Sequence, residues 1–144
     1  MLVQTILQTK GDAGVFTVPP ATSIAEAAAE LSARKIGTVV VSDDGAAALG
    51  ILSERDIVRE IGKRGAACLS EKVAGLMTRK LVTCAAGDTA DSVLQRMTEG
   101  RFRHMPVLDG TRMIGLISLG DVVKARLQEV AMEKDALQDM IMGY

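Results

Sequence analysis

Two short stretches of this chain place a carboxylate three residues after a hydroxyl: Ser53-Glu54-Arg55-Asp56 and Ser118-Leu119-Gly120-Asp121. Each follows a glycine and two apolar residues, from Gly50 or Gly115, and each is followed by another apolar residue, Ile57 or Val122. The pattern puts the serine where a strand ends and a helix starts. The first backbone N–H groups of a helix have no intrahelical partner and the helix dipole favours negative charge there, so a phosphate fits. Asp56 and Asp121 lie one turn into the helix, where an ionised carboxylate can accept both hydroxyls of a ribose cis-diol. Gly50 and Gly115, in the strand, let a neighbouring backbone or a ligand approach closely. The same spacing is also close to a capping box, in which Ser and Asp satisfy orphan N–H groups. One helix end can do both jobs.

The elements that hold these octets are duplicated. Thr17, Ser23, Ala27, Leu31, Ile36 and Val41 find counterparts 66 positions later in Thr83, Thr89, Val93, Met97, Phe102 and Val107, and from Gly50 and Gly115 onward the offset is 65. The one-residue difference falls at the turns Asp43-Asp44-Gly45 and Asp109-Gly110, which absorb length changes easily. The first copy predicts a strand over Val15 to Val18, a helix from Ile24 to Arg34 capped by Ser23, strands over Thr38 to Val41 and Ala48 to Ile51, and a helix after Ser53. The second copy predicts a strand over Leu81 to Cys84, a helix capped by Thr89, and strands over Met105 to Leu108 and Met113 to Ile117. The order is β-α-β-β-α, twice. Two copies are too few for an open solenoid, so a closed pseudo-symmetric pair is expected.

Three marks, in order and duplicated, resemble one family: the two octets, the run Arg101-Phe102-Arg103-His104-Met105-Pro106-Val107, and the linker Lys72 to Thr78. This is the cystathionine-β-synthase (CBS) motif in its tandem form, and the resemblance covers Val15 to Leu127. It implies an α+β fold of two CBS motifs related by pseudo-twofold symmetry. The corresponding divisions are motif 1 at 15–65, a linker helix at 66–79, motif 2 at 80–127 and a C-terminal helical extension at 128–144, within a single domain of 1–144. It also implies an adenosine-containing ligand in a cleft between the repeats, with the octet Asp on the ribose and the Ser near the phosphate. AMP comes first, with ATP, ADP or NAD(H) as alternatives and S-adenosylmethionine behind them.

In a family-like cleft the basic arm of one repeat reaches the phosphate of a nucleotide whose ribose is held by the other. The better-equipped site then joins Ser53 and Asp56 to Arg103 and His104, with Arg101 and Pro106 beside them. The mirror site, at Ser118 and Asp121, faces Gly37, Thr38 and Val40 in place of Arg103, His104 and Pro106, which leaves Lys35 as its cation. Arg55, opposite Gly120, breaks the symmetry again, so the sites are not expected to be equivalent. The arm has a plain alternative as a solvated basic edge beside a hairpin. Ile36, Val18, Phe102 and Met105 are the apolar candidates to hold an adenine. Thr17 and Thr83 match positions that hydrogen-bond base or ribose in the family, though strand propensity alone also accounts for a Thr there.

Composition narrows the function classes. The chain has 144 residues, 48% hydrophobic and 24% charged, which suits a globular domain with a real core. A net charge of −1 and three aromatics, Phe16, Phe102 and Tyr144, argue against nucleic acid as a main partner. No apolar run approaches the roughly 20 residues of a membrane span, and MLVQTILQTK does not read as a secretion signal, so the cytoplasm is the expected compartment. Cys68 and Cys84 stand alone, which points to neither zinc nor a disulfide. With one histidine and no HExxH, GxSxG, GxxxxGK[ST] or GxGxxG at a helix start, no catalytic constellation is indicated.

The helix after Ser118 is expected to run on from Leu119 to about Ile141. Val123, Leu127, Val130, Leu137 and Ile141 recur along it at three- and four-residue steps, interrupted at Lys134, as in a short coiled-coil seam. A homodimer is the favoured use of this face, and docking against residues 2–7 of the same chain is the alternative. The expected role is a regulatory nucleotide sensor acting on a separate, unidentified effector protein. Its rivals are a ligand-free interaction scaffold, a degenerate nucleotide-processing enzyme and a single-strand nucleic-acid binder.

Overall fold

The computed structural model describes residues 1–11 and 14–143. Along the chain run α1 (Val3–Lys10), β1 (Thr17–Val18), α2 (Ile24–Arg34), β2 (Thr38–Val41), β3 (Gly50–Ser53) and α3 (Glu54–Arg64). Two short 3-10 helices follow, at Ala66–Ser70 and Val73–Gly75, then β4 (Cys84–Ala85), α4 (Ala90–Gly100), β5 (His104–Asp109), β6 (Arg112–Ser118) and α5 (Leu119–Met142). The fold is α+β, with the β-α-β-β-α order present twice and two three-stranded sheets ordered β1-β2-β3 and β4-β5-β6. Tyr144, the end of the expected extension, lies outside the described residues.

Several local expectations are corrected, the first strands among them, expected over Val15 to Val18 and Leu81 to Cys84 and found at Thr17–Val18 and Cys84–Ala85. The strand expected at Ala48 to Ile51 is Gly50–Ser53 instead, and it follows a turn whose side chains hold the backbone of Gly45 to Ala47. Asp44 Oδ1 accepts the N–H groups of Ala46 and Ala47 at 2.8 and 3.0 Å, and Ser42 Oγ accepts that of Gly45 at 2.9 Å. The 66–79 linker, expected as a helix, is two 3-10 turns and an extended stretch. Its N–H groups point elsewhere: Val73 donates to Thr22 O at 2.8 Å, Ala74 to Pro20 O at 3.2 Å and Thr78 to Ile51 O at 2.8 Å. An α-helix would need those donors for itself.

The chain divides into two compact units. The first comprises Gly14–Val82 with Leu108–Ile114. Its central strand β2 pairs in parallel with β1 (Thr17↔Val40) and antiparallel with β3 (Thr38↔Ser53, Val41↔Gly50). Covered on both faces, β2 reads as an unbroken apolar run, Val39-Val40-Val41, all buried. Ser23 Oγ accepts the Glu26 N–H at 3.1 Å and starts α2, whose Ile24, Ala27 and Leu31 enter the core at helical spacing. Val73 and Met77 of the linker complete that core.

The second unit comprises Met1–Ala13, Thr83–Val107 and Gly115–Tyr144. Thr89 Oγ1 caps α4 by accepting the Ser92 N–H at 3.1 Å. Its core joins Val93 and Met97 of α4 to Val3 and Ile6 of α1 and to Val122 and Ala125 of α5. The segment from Met1 thus does for this unit what the linker does for the first. Leu2 bridges Thr89 as Lys72 bridges Ser23, and Val3 donates to Asp88 O at 2.9 Å as Val73 does to Thr22 O. The two straps differ by 70 positions, and of their apolar residues Val3, Ile6 and Leu7 match Val73, Leu76 and Met77.

These straps explain the octet glycines. A Cβ at Gly50 would lie 2.5 Å from Met77 Sδ and 3.0 Å from the Thr78 carbonyl oxygen, and one at Gly115 would lie 2.8 Å from Leu7 Cδ2. The neighbour that needs close approach is the strap. Gly50→Ala is therefore expected to destabilise the chain by about 1–3 kcal/mol, because the Thr78 backbone is held by its bridge to Ile51 and cannot withdraw freely. A denaturant midpoint equal to wild type would contradict this.

Helix α5 uses one face on its own unit and leaves the rest in water. Val122 and Ala125 are buried, and the Met1 amine pairs with Glu129. The seam residues Leu127, Val130, Leu137 and Ile141 are exposed at 65%, 50%, 59% and 83%. Docking against the N-terminal segment therefore accounts for the start of the helix and not for the seam. Among the described residues, no helix is long and apolar enough to cross a membrane.

Candidate functional site

Both octets fold as full capping boxes. Ser53 Oγ accepts the Asp56 N–H at 3.2 Å while Asp56 Oδ2 accepts the Ser53 N–H at 2.9 Å, and Ser118 and Asp121 repeat the exchange at 3.1 and 2.9 Å. A third helix-opening donor is taken by the loop before the hairpin. Glu54 donates to Gly37 O in the first unit and Leu119 to Arg103 O in the second, each at 2.8 Å. The arm residues expected at a phosphate are thus fixed to their own octet by backbone. The sharp turn that brings them there follows α2 and α4, whose C-caps Lys35 and Arg101 adopt left-handed φ of 55° and 56°.

The capping box leaves two groups for a ligand: the second carboxylate oxygen of each Asp, and the N–H of the second helical residue, Arg55 or Gly120. Asp56 and Asp121 are comparably covered, with side chains 19% and 22% exposed. Their surroundings differ. The cation nearest Asp56 is Arg59, whose Nη1 stands 3.7 Å from Oδ1, whereas Asp121 Oδ2 accepts a 2.8 Å hydrogen bond from Lys10 Nζ. Burial opposes the charge on Asp121, and the Lys10 hydrogen bond, the Ser118 backbone and hydroxyl, and the Lys10 charge outweigh it, holding the carboxyl below its ordinary range. Nothing in the sequence pattern singles out Lys10.

Of the other expected site residues, Ser53, Arg55, Asp56 and Gly37 gather at the start of α3, and Ile36 is exposed beside them in sequence. Thr17 lies two strands away across the sheet, in the row Thr17–Val40–Ile51. In the second unit Ser118, Asp121 and Arg103 meet at the start of α5, with His104 and Pro106 opening β5 and Arg101 at the α4 cap. Val18 and Met105, expected beside an adenine, are buried in the cores of their own units, and Val18 also borders a groove beside β1. Thr83 precedes β4, and its carbonyl accepts from Arg96 Nη1 at 2.8 Å.

A groove of about 420 Å³ runs beside β1, bordered by Phe16, Thr17, Thr22, Glu26 and Glu30. Arg34 covers the Phe16 ring at 3.7 Å, and the two glutamates make this groove a poor place for a phosphate. Both cysteines are buried, and desolvation pushes the Cys84 thiol up to about 11. Cys84 is accordingly expected to resist a thiol reagent such as iodoacetamide at pH 7.5 in the folded chain; labelling as fast as in denaturant would contradict that.

Comparison with known proteins fits this geometry. The family model described as "CBS domain" matches residues 11–63 and 73–128. The mitochondrial CBS domain-containing protein CBSX3 of Arabidopsis thaliana is 35% identical over 125 residues, covering 84% of this chain and 61% of that relative, so the chain spans less than two thirds of its length. The crystal structure of the CBS-domain containing protein ATU1752 from Agrobacterium tumefaciens is 48% identical with a TM-score of 0.83, over 88% of this chain and 99% of that one. That of CBSX2, solved in complex with AMP, is 28% identical with a TM-score of 0.68, over 79% and 88%. With two repeats, two octets at strand-to-helix junctions and a family match over each copy, the chain belongs to the CBS domain family as a tandem pair of CBS motifs.

Proposed function

We propose that this chain is a non-catalytic regulatory module that binds an adenine nucleotide, AMP ahead of ATP, ADP or NAD(H), and signals to a partner protein. The observation that carries the reading is the state of Asp56. Its Oδ2 caps α3 while Oδ1, with only Arg59 at 3.7 Å, is left to accept from a ribose hydroxyl. The Arg55 N–H at the same helix opening is a donor for a phosphate, and Arg103 and His104 are the arm residues assigned to phosphate from the family pattern. Ile36 and Phe102 are the apolar side chains assigned to the base. The AMP complex of CBSX2 supports the choice of ligand class. A ligand held this way changes the output only through its differential affinity for two conformations.

The exposed seam of α5 belongs to the same proposal as a homodimer contact, since a twofold pair is the commonest assembly. The cytoplasm is the proposed compartment, where the free thiols Cys68 and Cys84 stay reduced. A second reading, a ligand-free scaffold, is favoured by the completeness of both capping boxes, which satisfy the octets without a ligand. Thermal unfolding with excess AMP separates the two. A melting temperature that rises with AMP concentration supports the sensor, and one that does not move supports the scaffold.

A further inference from the structure

We propose that Lys10 closes the second octet to ribose, so that the chain takes a single nucleotide at Asp56; this rests on the ribose reading given above. The two octets share their caps and their glycine contacts with a strap, and besides Glu54 and Arg55 standing where the other has Leu119 and Gly120 they differ in the cation on the Asp, Arg59 at 3.7 Å from Asp56 Oδ1 and Lys10 hydrogen-bonded to Asp121 Oδ2. Lys10 Nζ donates to Asp121 Oδ2 at 2.8 Å and to the Leu116 carbonyl oxygen at 2.9 Å. Asp121 Oδ2 also accepts the Ser118 N–H at 2.9 Å, so both lone pairs of that oxygen are engaged. A cis-diol that grips a carboxylate through both oxygens needs one open lone pair on each. Asp56 has them among the described residues: its Oδ2 accepts the Ser53 N–H alone, and its Oδ1 accepts no hydrogen bond, with Arg59 Nη1 3.7 Å away. At Asp121 the ammonium group already supplies the donor that a ribose hydroxyl would bring.

The difference comes from how the two straps end. α1 stays helical from Val3 to Lys10, lays Leu7 on Gly115 and carries Lys10 over the octet. The linker leaves its 3-10 turn at Gly75 and becomes extended, so that Thr78 bridges Ile51. The residue of the linker 70 positions after Lys10 is Lys80, which forms no ion pair among the described residues. The same type of residue is thus present on both straps and reaches a carboxylate on one. Lys10 acts here as a positioning residue that decides which octet is open.

The test is calorimetric titration of the full chain with AMP. Wild type is expected to take one AMP per chain, unchanged in Asp121→Asn and weakened at least tenfold in Asp56→Asn. Lys10→Met is expected to take two, the second lost again in Lys10→Met with Asp121→Asn, while Lys10→Arg keeps one. Carbonyl NMR of Asp121 gives a readout independent of binding, since its pKa should rise in Lys10→Met. Two AMP per wild-type chain, one of them removed by Asp121→Asn, would overturn the inference and leave the ribose reading standing. A single AMP on a folded Lys10→Met chain would overturn it too. No binding by any form would instead overturn the ribose reading on which it rests.

Discussion

Asp56→Asn is expected to lower the affinity for AMP at least tenfold. The variant keeps an amide oxygen to accept the Ser53 N–H, so α3 retains most of its cap. What it loses is the carboxylate charge and one acceptor for the diol. Hydrogen bonds to a charged group contribute about 1.5–3 kcal/mol each, and a tenfold change in affinity corresponds to about 1.4 kcal/mol, so weakening one such bond is enough. Asp56→Ala should weaken binding as much and also cost stability, on the order of 1 kcal/mol, because the N-terminal box opens. Comparing the two separates ligand chemistry from capping. If Asp56→Ala and Asp121→Ala both bind AMP like wild type, the ribose assignment fails.

The other large effect is expected on assembly. Leu127→Lys combined with Leu137→Lys should convert the proposed dimer to a monomer in sedimentation equilibrium without altering the circular dichroism of the fold. Both side chains are more than half exposed in the single chain, so neither change opens a cavity in either core. In a coiled-coil seam the same positions would be buried against a second copy, and a charge placed there is desolvated without a partner. A double variant that still sediments as a dimer would place the contact elsewhere. A monomeric wild type would remove the seam's assigned use altogether.

Much of this molecule was legible in the chain because it is written locally and twice. The helical spacing of Ile24, Ala27 and Leu31, the caps Ser23 and Thr89, and the octets fix element order through short-range physics that duplication makes visible. The capping alternative for the octets, open on sequence grounds, is realised in both copies and leaves one carboxylate oxygen of each Asp outside the box. What was not legible is long-range. Lys10 meets Asp121 across 111 residues, and no periodicity connects them. The strap at the chain's start shares little sequence with the linker, since its work is done by backbone hydrogen bonds and two apolar contacts. Val18 and Met105 are buried in the cores, and apolar type alone does not tell a pocket wall from a core residue. The β3 boundary moved, and before it Ser42 and Asp44 build a longer turn than the Asp-Gly pair alone suggests.

The most direct measurement is titration calorimetry of nucleotide-stripped chain with AMP, run beside Asp56→Asn. Saturable heat in the wild type, weakened at least tenfold in the variant, is the expected result. No heat at any AMP concentration, or equal binding by the variant, would contradict the assignment of Asp56 to the ribose.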